Sequence, residues 1–292
     1  MPTISPRIFA FQLVALLSLF LAGTRPLSAG EPTSRSYKLM VQSSMKMNAQ
    51  GRELETTAQT EYFYTWQQKD NTRTLILNAV KLSVIHEGTQ VQNSVMNRER
   101  FNGENNGEPV NYSFDQAPAE IQTILKDSFA TPLLTLEVDA QGKELSRKVT
   151  AGKGAEALLH NGLLTYCLFF HPPNPPEAPE WKNASEMNVG GGNLAKGDLT
   201  YKRIDENPNA YGVSGILLNE KFAKPGNPVV IKNTRYVGVG EQLFDPEKKA
   251  WAGGNFKFNF VFELYKGETL TGQARGLLGM ILETREKPAK SK

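Results

Sequence analysis

Asn255-Phe256-Lys257-Phe258-Asn259-Phe260-Val261-Phe262-Glu263-Leu264-Tyr265 decides the fold class. Side chains of an extended strand alternate between two faces. On that period Phe256, Phe258, Phe260, Phe262 and Leu264 share one face. Asn255, Lys257, Asn259, Val261, Glu263 and Tyr265 share the other. A helix would scatter the phenylalanines around its circumference, so helix is rejected. At a rise near 3.3 Å per residue the segment spans roughly 35 Å, long for a globular strand. One dry face and one mostly wet face belong to an antiparallel sheet. The Phe row reads in two ways: as plain core, or as the face of a cavity for an apolar ligand.

The flanking chain repeats the pattern. Tyr37–Met47, Glu53–Gln67, Thr72–Ile85 and 89–96 read as strands, separated by Asn48–Gly51, Lys69–Asn71 and Glu87-Gly88. Such short polar breaks predict hairpins in a meander. Asn102–Gly107 reads as a loop. Further strands are expected near 197–205, 210–218, 228–242, 255–266 and 268–283, with Asp245–Lys249 as a turn before Trp251. Ala49-Gln50-Gly51-Arg52-Glu53-Leu54 and Ala140-Gln141-Gly142-Lys143-Glu144-Leu145 look like one Gly turn used twice, the second closing a hairpin of Pro132–Asp139 and Lys143–Val149. Six matching residues are too few for a repeat architecture.

Helical signals are few. Asp115 as cap, with Pro118 and Glu120 following, predicts a helix whose Ile121, Ile124 and Leu125 face inward up to Phe129. A second short helix is expected from Gly154 to Tyr166. The fold class expected is therefore mainly β: an antiparallel curved sheet or open barrel with one or two short helices on its apolar face, a β-sandwich being the alternative.

Arg7 precedes an apolar run, Ile8–Ala22, followed by Gly23, Arg25, Pro26 and Leu27-Ser28-Ala29. This order is that of a secretory signal peptide over residues 1–29, with cleavage near Ala29 and a mature start near Gly30. The run is short of the about 20 apolar residues a span needs. The expected location is outside the cytoplasm, periplasmic or secreted, with no stable membrane span after signal removal. The chain has 33 Lys+Arg and 30 Asp+Glu, and residues 1–29 hold Arg7 and Arg25 but no acid, leaving a balance of +1. The overall pI of 8.8 is then no argument for nucleic acid. An outer-membrane barrel is disfavoured by the polar end of the chain and by the helices.

His171-Pro172-Pro173-Asn174-Pro175-Pro176-Glu177-Ala178-Pro179-Glu180-Trp181 is a stiff, extended connector. It divides the chain into β-rich segments 30–171 and 182–285, with 172–181 between and a polar tail at 286–292. With its leader, its strands, the Pro172–Trp181 approach and the entry Gly197-Asp198-Leu199-Thr200-Tyr201, the chain resembles secreted, β-rich bacterial proteins of unknown function. The resemblance covers most of the chain beyond the leader in outline. It implies strands ending in long hairpins and no particular activity. Family members often carry a Gly and an acidic residue shortly before the Trp, where this chain has Ala178-Pro179-Glu180.

No catalytic motif emerges. Ser43-Ser44-Met45-Lys46 has the Ser-x-x-Lys spacing but falls in a strand and lacks its partner motifs. Gly212-Val213-Ser214-Gly215-Ile216 has its second Gly one residue early for a nucleophile elbow. Gly190-Gly191-Gly192 lacks the Lys and Ser/Thr of a phosphate loop. Asn111-Tyr112-Ser113 and Asn183-Ala184-Ser185 are glycosylation sequons of the kind that arise by chance. His160, Cys167 and His171 would share a helix face, but Pro172 turns His171 away from helix and no fourth ligand is near. Neither metal nor cofactor is indicated. The single Cys167 allows no internal disulfide and sits among apolar residues, where a buried, inert thiol is expected. Three function classes remain: a secreted, non-enzymatic binding or structural protein; a carrier of an apolar small molecule, lipid or acyl chain on the face of Phe256, Phe258, Phe260 and Phe262; and a hydrolase with an unrecognised carboxylate site.

Overall fold

The computed structural model describes residues 33–49, 51–105, 108–160, 162–188, 194–223 and 226–285. The expected leader 1–29, the Gly190–Gly192 turn and the tail 286–292 lie outside the described residues. The chain builds β1 (Thr33–Ala49), β2 (Arg52–Lys69), β3 (Thr72–His86), β4 (Thr89–Asn97), β5 (Arg100–Asn105) and β6 (Glu108–Ser113) as successive strands. Helix α1 (Ala119–Ser128) leads into β7 (Pro132–Val138) and β8 (Glu144–Val149). Helices α2 (Glu156–His160) and α3 (Leu163–Phe169) precede β9 (Glu180–Asn188). The chain then continues through β10 (Leu194–Ile204), β11 (Asn207–Ala223), β12 (Val229–Asp245), β13 (Ala250–Lys266) and β14 (Thr269–Arg285).

These strands form one antiparallel, curved, unclosed sheet in the order β6-β5-β4-β3-β2-β1-β14-β13-β12-β11-β10-β9. The first and last of the long strands pair, Tyr37 with Thr284 and Met47 with Ala274 among others, so the sheet runs unbroken across both halves of the chain. Strand β3 shares its outer edge: Ala79–His86 pairs with β4, and Thr72–Ile76 pairs with β7 of the β7–β8 hairpin. From β8 the helices and the Pro-rich connector cross the sheet's apolar face to β9 at the far edge. There Arg147 of β8 meets Glu186 of β9 at 3.6 Å.

The period-two reading of β13 holds. Phe256, Phe258 and Phe260 are 1%, 0% and 6% exposed. Lys257 and Asn259 are exposed, and Phe262 and Leu264 are half-buried. The phenylalanines need flat ground beside them, and glycines supply it. A Cβ on Gly238 would stand 2.2 Å from the Phe258 ring, and one on Gly240 2.7 Å from the Phe256 ring. These rings cover strand positions that would otherwise be weak for want of a side chain. The outer face is not uniformly polar: Val239, Leu277 and Leu218 are more than half exposed.

Four boundaries differ from expectation for local reasons. Asn102–Asn105 is not an open loop: it belongs to β5, which pairs with β6 up to Asn105 and Glu108, while 106–107 lie outside the described residues. Asp115 does not cap α1. It sits in a 3₁₀ turn, Phe114–Gln116, and Pro118 occupies the cap position in extended conformation. The second helix is broken. A 3₁₀ turn at Lys153–Ala155 runs into α2, and Gly162 at φ +90° separates it from α3, a conformation that stops an L-residue helix. Strand β13 starts at Ala250, so Gly253 and Gly254 lie inside it. Glu241 O would be only 2.7 Å from a Gly254 Cβ, which explains a glycine within a strand. The twice-used turn is real as geometry: Gly51 and Gly142 both take left-handed φ, +79° and +76°.

Candidate ligand cavity

A cavity of about 970 Å³ opens at one end of the sheet, where β1 starts, β2 ends and β3 starts. The turn between β12 and β13, the start of β13 and the end of β14 complete that rim. The β7–β8 hairpin, α3, the connector and β9 wall the rest. Its size is at the upper end of small-molecule sites, which run to about 1,000 Å³. Tyr37, Trp66, Leu136, Val138, Phe169 and Trp251 give it apolar walls. Seven Lys or Arg side chains and three Glu line it, so its potential is positive.

The floor is an aromatic cluster held by hydrogen bonds. Tyr37 stacks on Tyr64 at 5.3 Å, and the His171 ring stands edge-on to Tyr37, Tyr64 and Trp66. Tyr64 Oη and His171 Nε2 share a hydrogen bond of 3.0 Å. The Tyr37 hydroxyl donates to the Trp251 carbonyl at 3.2 Å. Trp251 Nε1 donates to the Pro172 carbonyl at 2.9 Å, which fastens the connector to the sheet. Burial raises the Tyr37 hydroxyl above its ordinary value and raises Tyr64 further, so both stay protonated.

The charged groups differ in how they are held. Arg35 Nη2 pairs with Asp245 Oδ2 at 2.8 Å. The Lys248 amide donates to Asp245 at 3.0 Å. That amide first, and Arg35 second, hold the Asp245 carboxyl below the usual range. Arg147 binds Glu144 at 2.7 Å as well as Glu186. Arg73 donates from Nε to Gln68 Oε1 at 3.2 Å and has no carboxylate within 4.0 Å among the described residues. Gly142 makes room for it: a Cβ there would lie 2.9 Å from Arg73 Nη2 and 3.2 Å from Asn174 Oδ1. Trp66 is 8% exposed and its buried Nε1–H has no acceptor.

His171 is neutral here. Burial first, and then the Arg73 and Arg35 charges, pull its pKa from 6.5 down to about 3. The unfolded chain therefore takes up this proton first as pH falls. The stability this site contributes is whole above about 6.5 and is lost progressively toward pH 3. Wild type should lose a few kcal/mol between pH 7 and pH 4 that His171→Gln does not lose. Melting curves of the two proteins across that range check this. Parallel curves would show that His171 titrates normally.

The predicted site residues fall one layer away. Phe256 and Phe258 pack edge-on against Phe169 of α3 at 4.7 and 5.8 Å, and Phe170 packs on Phe256 at 5.4 Å. Phe169 in turn faces the cavity, so these two phenylalanines stand behind its wall. Phe260 stacks on Tyr236 and on Phe262, away from the cavity lining. Cys167 is free and fully buried, and burial pushes its thiol well up. His171 reaches the cavity, Cys167 does not line it, and the His160 side chain is outside what is described. Among the described residues no group of three or more His, Cys, Asp or Glu is placed to hold a metal. No helix among them is long and apolar enough to cross a membrane.

Reading from sequence missed Arg73, Gly142 and the floor built by Tyr37, Trp66 and Trp251. The repeated Gly turn was the one signal near them, since it marked Gly142 as a special backbone position.

No family model and no curated protein sequence matches the chain. Among solved structures it is similar to lipovitellin, in a structure describing lipid–protein interactions. That match has a TM-score of 0.48 and 11% identity, over 89% of this chain and 26% of that one. The chain thus spans about a quarter of the lipovitellin chain. It is also similar to OccK5 of Pseudomonas aeruginosa, with TM-score 0.26 and 8% identity over 87% and 98% of the two chains. The translocator domain of the autotransporter NalP from Neisseria meningitidis gives TM-score 0.20 and 7% identity over 94% and 95%. None of these likenesses carries an argument about function.

Proposed function

We propose that this protein is a non-enzymatic carrier that holds one apolar-bodied small molecule, a lipid or acyl chain, in the end cavity. The observation that carries the proposal is the cavity itself: about 970 Å³, aromatic and aliphatic within, positively charged overall, and roofed by a connector pinned to the sheet through Trp251. A solid core of this size would leave no such space, because interiors pack to crystal-like density. Two of the cavity's three glutamates do not support the hydrolase reading. Glu144 and Glu186 are both engaged by Arg147 rather than converging as an acid–base pair. The order of residues 7–29 supports action outside the cytoplasm, where an apolar cargo needs a protein to shield it from water. On this reading the ligand sits in the end cavity, and the Phe256 and Phe258 rings support its wall from behind.

Native mass spectrometry of the protein purified from its own host tests this. The expected spectrum shows the chain plus one small molecule that organic extraction removes. A bare chain that also fails to take up the neutral probe N-phenyl-1-naphthylamine would overturn it.

A further inference from the structure

We propose that Arg73 is the headgroup-binding residue of this cavity, and that it receives a carboxylate or phosphate borne by the ligand. This rests on the carrier reading above and adds the ligand's chemical class: an anionic amphiphile rather than a neutral lipid. The argument is one of elimination among the cavity's cations, of which Lys143 and Lys249 are exposed to water and need no counter-charge. Arg35 is committed to Asp245, Arg147 to Glu144 and Glu186, and Lys248 to Asp245 at 3.5 Å. The Arg285 guanidinium rests over the Phe63 ring at 5.1 Å.

Arg73 alone among these guanidiniums has neither a carboxylate nor a ring as partner among the described residues. Its Nε is used by Gln68, which leaves the Nη fork to face an incoming group. The fork lies in the hollow that Gly142 leaves beside Asn174, in a wall shared with Tyr37, Trp66 and His171. A guanidinium removed from bulk water without a counter-charge is costly to the folded protein. A carboxylate or phosphate supplies that charge and matches the planar fork bidentately. His171 does not compete for the anion, because its ring is neutral and its Nε2 is held by Tyr64. The apolar part of the ligand then lies along Leu136, Val138 and Phe169.

The experiment measures displacement of bound N-phenyl-1-naphthylamine by dodecanoate, by dodecanol and by inorganic phosphate, on wild type, Arg73→Gln and Arg73→Lys, with melting temperatures as a check on folding. Wild type is expected to bind dodecanoate about 10- to 100-fold more tightly than dodecanol, the range for one charge-assisted contact. Arg73→Gln should bring dodecanoate down to the dodecanol level, leave dodecanol unchanged, and keep the melting temperature. Arg73→Lys should fall between, because it keeps charge and loses the fork. Equal affinity for the two tailed ligands in wild type would overturn the headgroup role and leave the carrier standing. Equal loss of both ligands in Arg73→Gln would overturn it too, by showing a structural effect. Phosphate binding that depends on Arg73, with neither tailed ligand displacing the probe, would keep the anion site and overturn the carrier. No displacement by any of the three would overturn both.

Discussion

Phe258→Ala should destabilise the protein by about 3–5 kcal/mol, while Asn259→Ala, one residue on, should cost well under about 1 kcal/mol. The two side chains leave the same strand in opposite directions. Phe258 is fully buried, and Asn259 is exposed. The Phe258 ring touches three supports that cannot follow it if it is removed. Phe169 packs on it edge-on from α3, Phe256 stacks beside it at 6.0 Å, and Tyr236 approaches from β12 at 6.4 Å. Beneath it is Gly238, which has no side chain to expand into the gap. The hole therefore stays a hole, and the cavity cost adds to the lost transfer energy. Folded domains are stable by only about 5–15 kcal/mol, so the variant should show a large drop in melting temperature. Equal melting shifts for the two variants would mean that the face assignment, and the register of Phe258 opposite Gly238, is wrong.

How far the sequence is legible follows from the same geometry. A strand's face is written in neighbours two residues apart, so β13 could be read from Phe256 to Phe262 without knowing its partners. Its start at Ala250 could not, because Gly253 and Gly254 suit the strand only through Glu241, Gln242 and Leu282 beside them. The hairpin β5–β6 was hidden for the opposite reason: Asn and Gly dominate the local composition, while the pairing Gly103 to Val110 is set by the adjacent strand. The cavity was least legible of all. Tyr37 reaches Trp251 across 214 residues, Tyr64 reaches His171 across 107, and Trp251 reaches Pro172 across 79. The first depends on β1 pairing with β14 and the other two on where the connector crosses the sheet, and no short stretch encodes either. The residues that suggested themselves from sequence were those repeating at short range, and short-range repetition reports core.

Trp251→Ala should cost about 3–5 kcal/mol and should also open the cavity, whereas Trp251→Phe should cost only about 1–3 kcal/mol and leave the cavity's shape largely in place. Trp251 is 2% exposed and joins three parts of the molecule. Its ring packs against Phe244 of β12, Tyr211 of β11 and Tyr201 of β10. Its indole N–H holds the Pro172 carbonyl of the connector. Its own carbonyl accepts from Tyr37 on β1. Truncation removes the ring and the connector's anchor at once, and leaves the Pro172 oxygen without its donor in a buried setting. Phenylalanine keeps most of the packing and loses only that hydrogen bond, so the pair separates the two roles. Limited proteolysis reads the second role directly. Residues 172–179 lie outside regular structure, and cleavage there should quicken strongly in Trp251→Ala and mildly in Trp251→Phe. Probe binding should fall in the same order, since the connector roofs the cavity. If Trp251→Ala melts early yet binds N-phenyl-1-naphthylamine as wild type does, the connector is not the roof, and ligand must enter and be held without it.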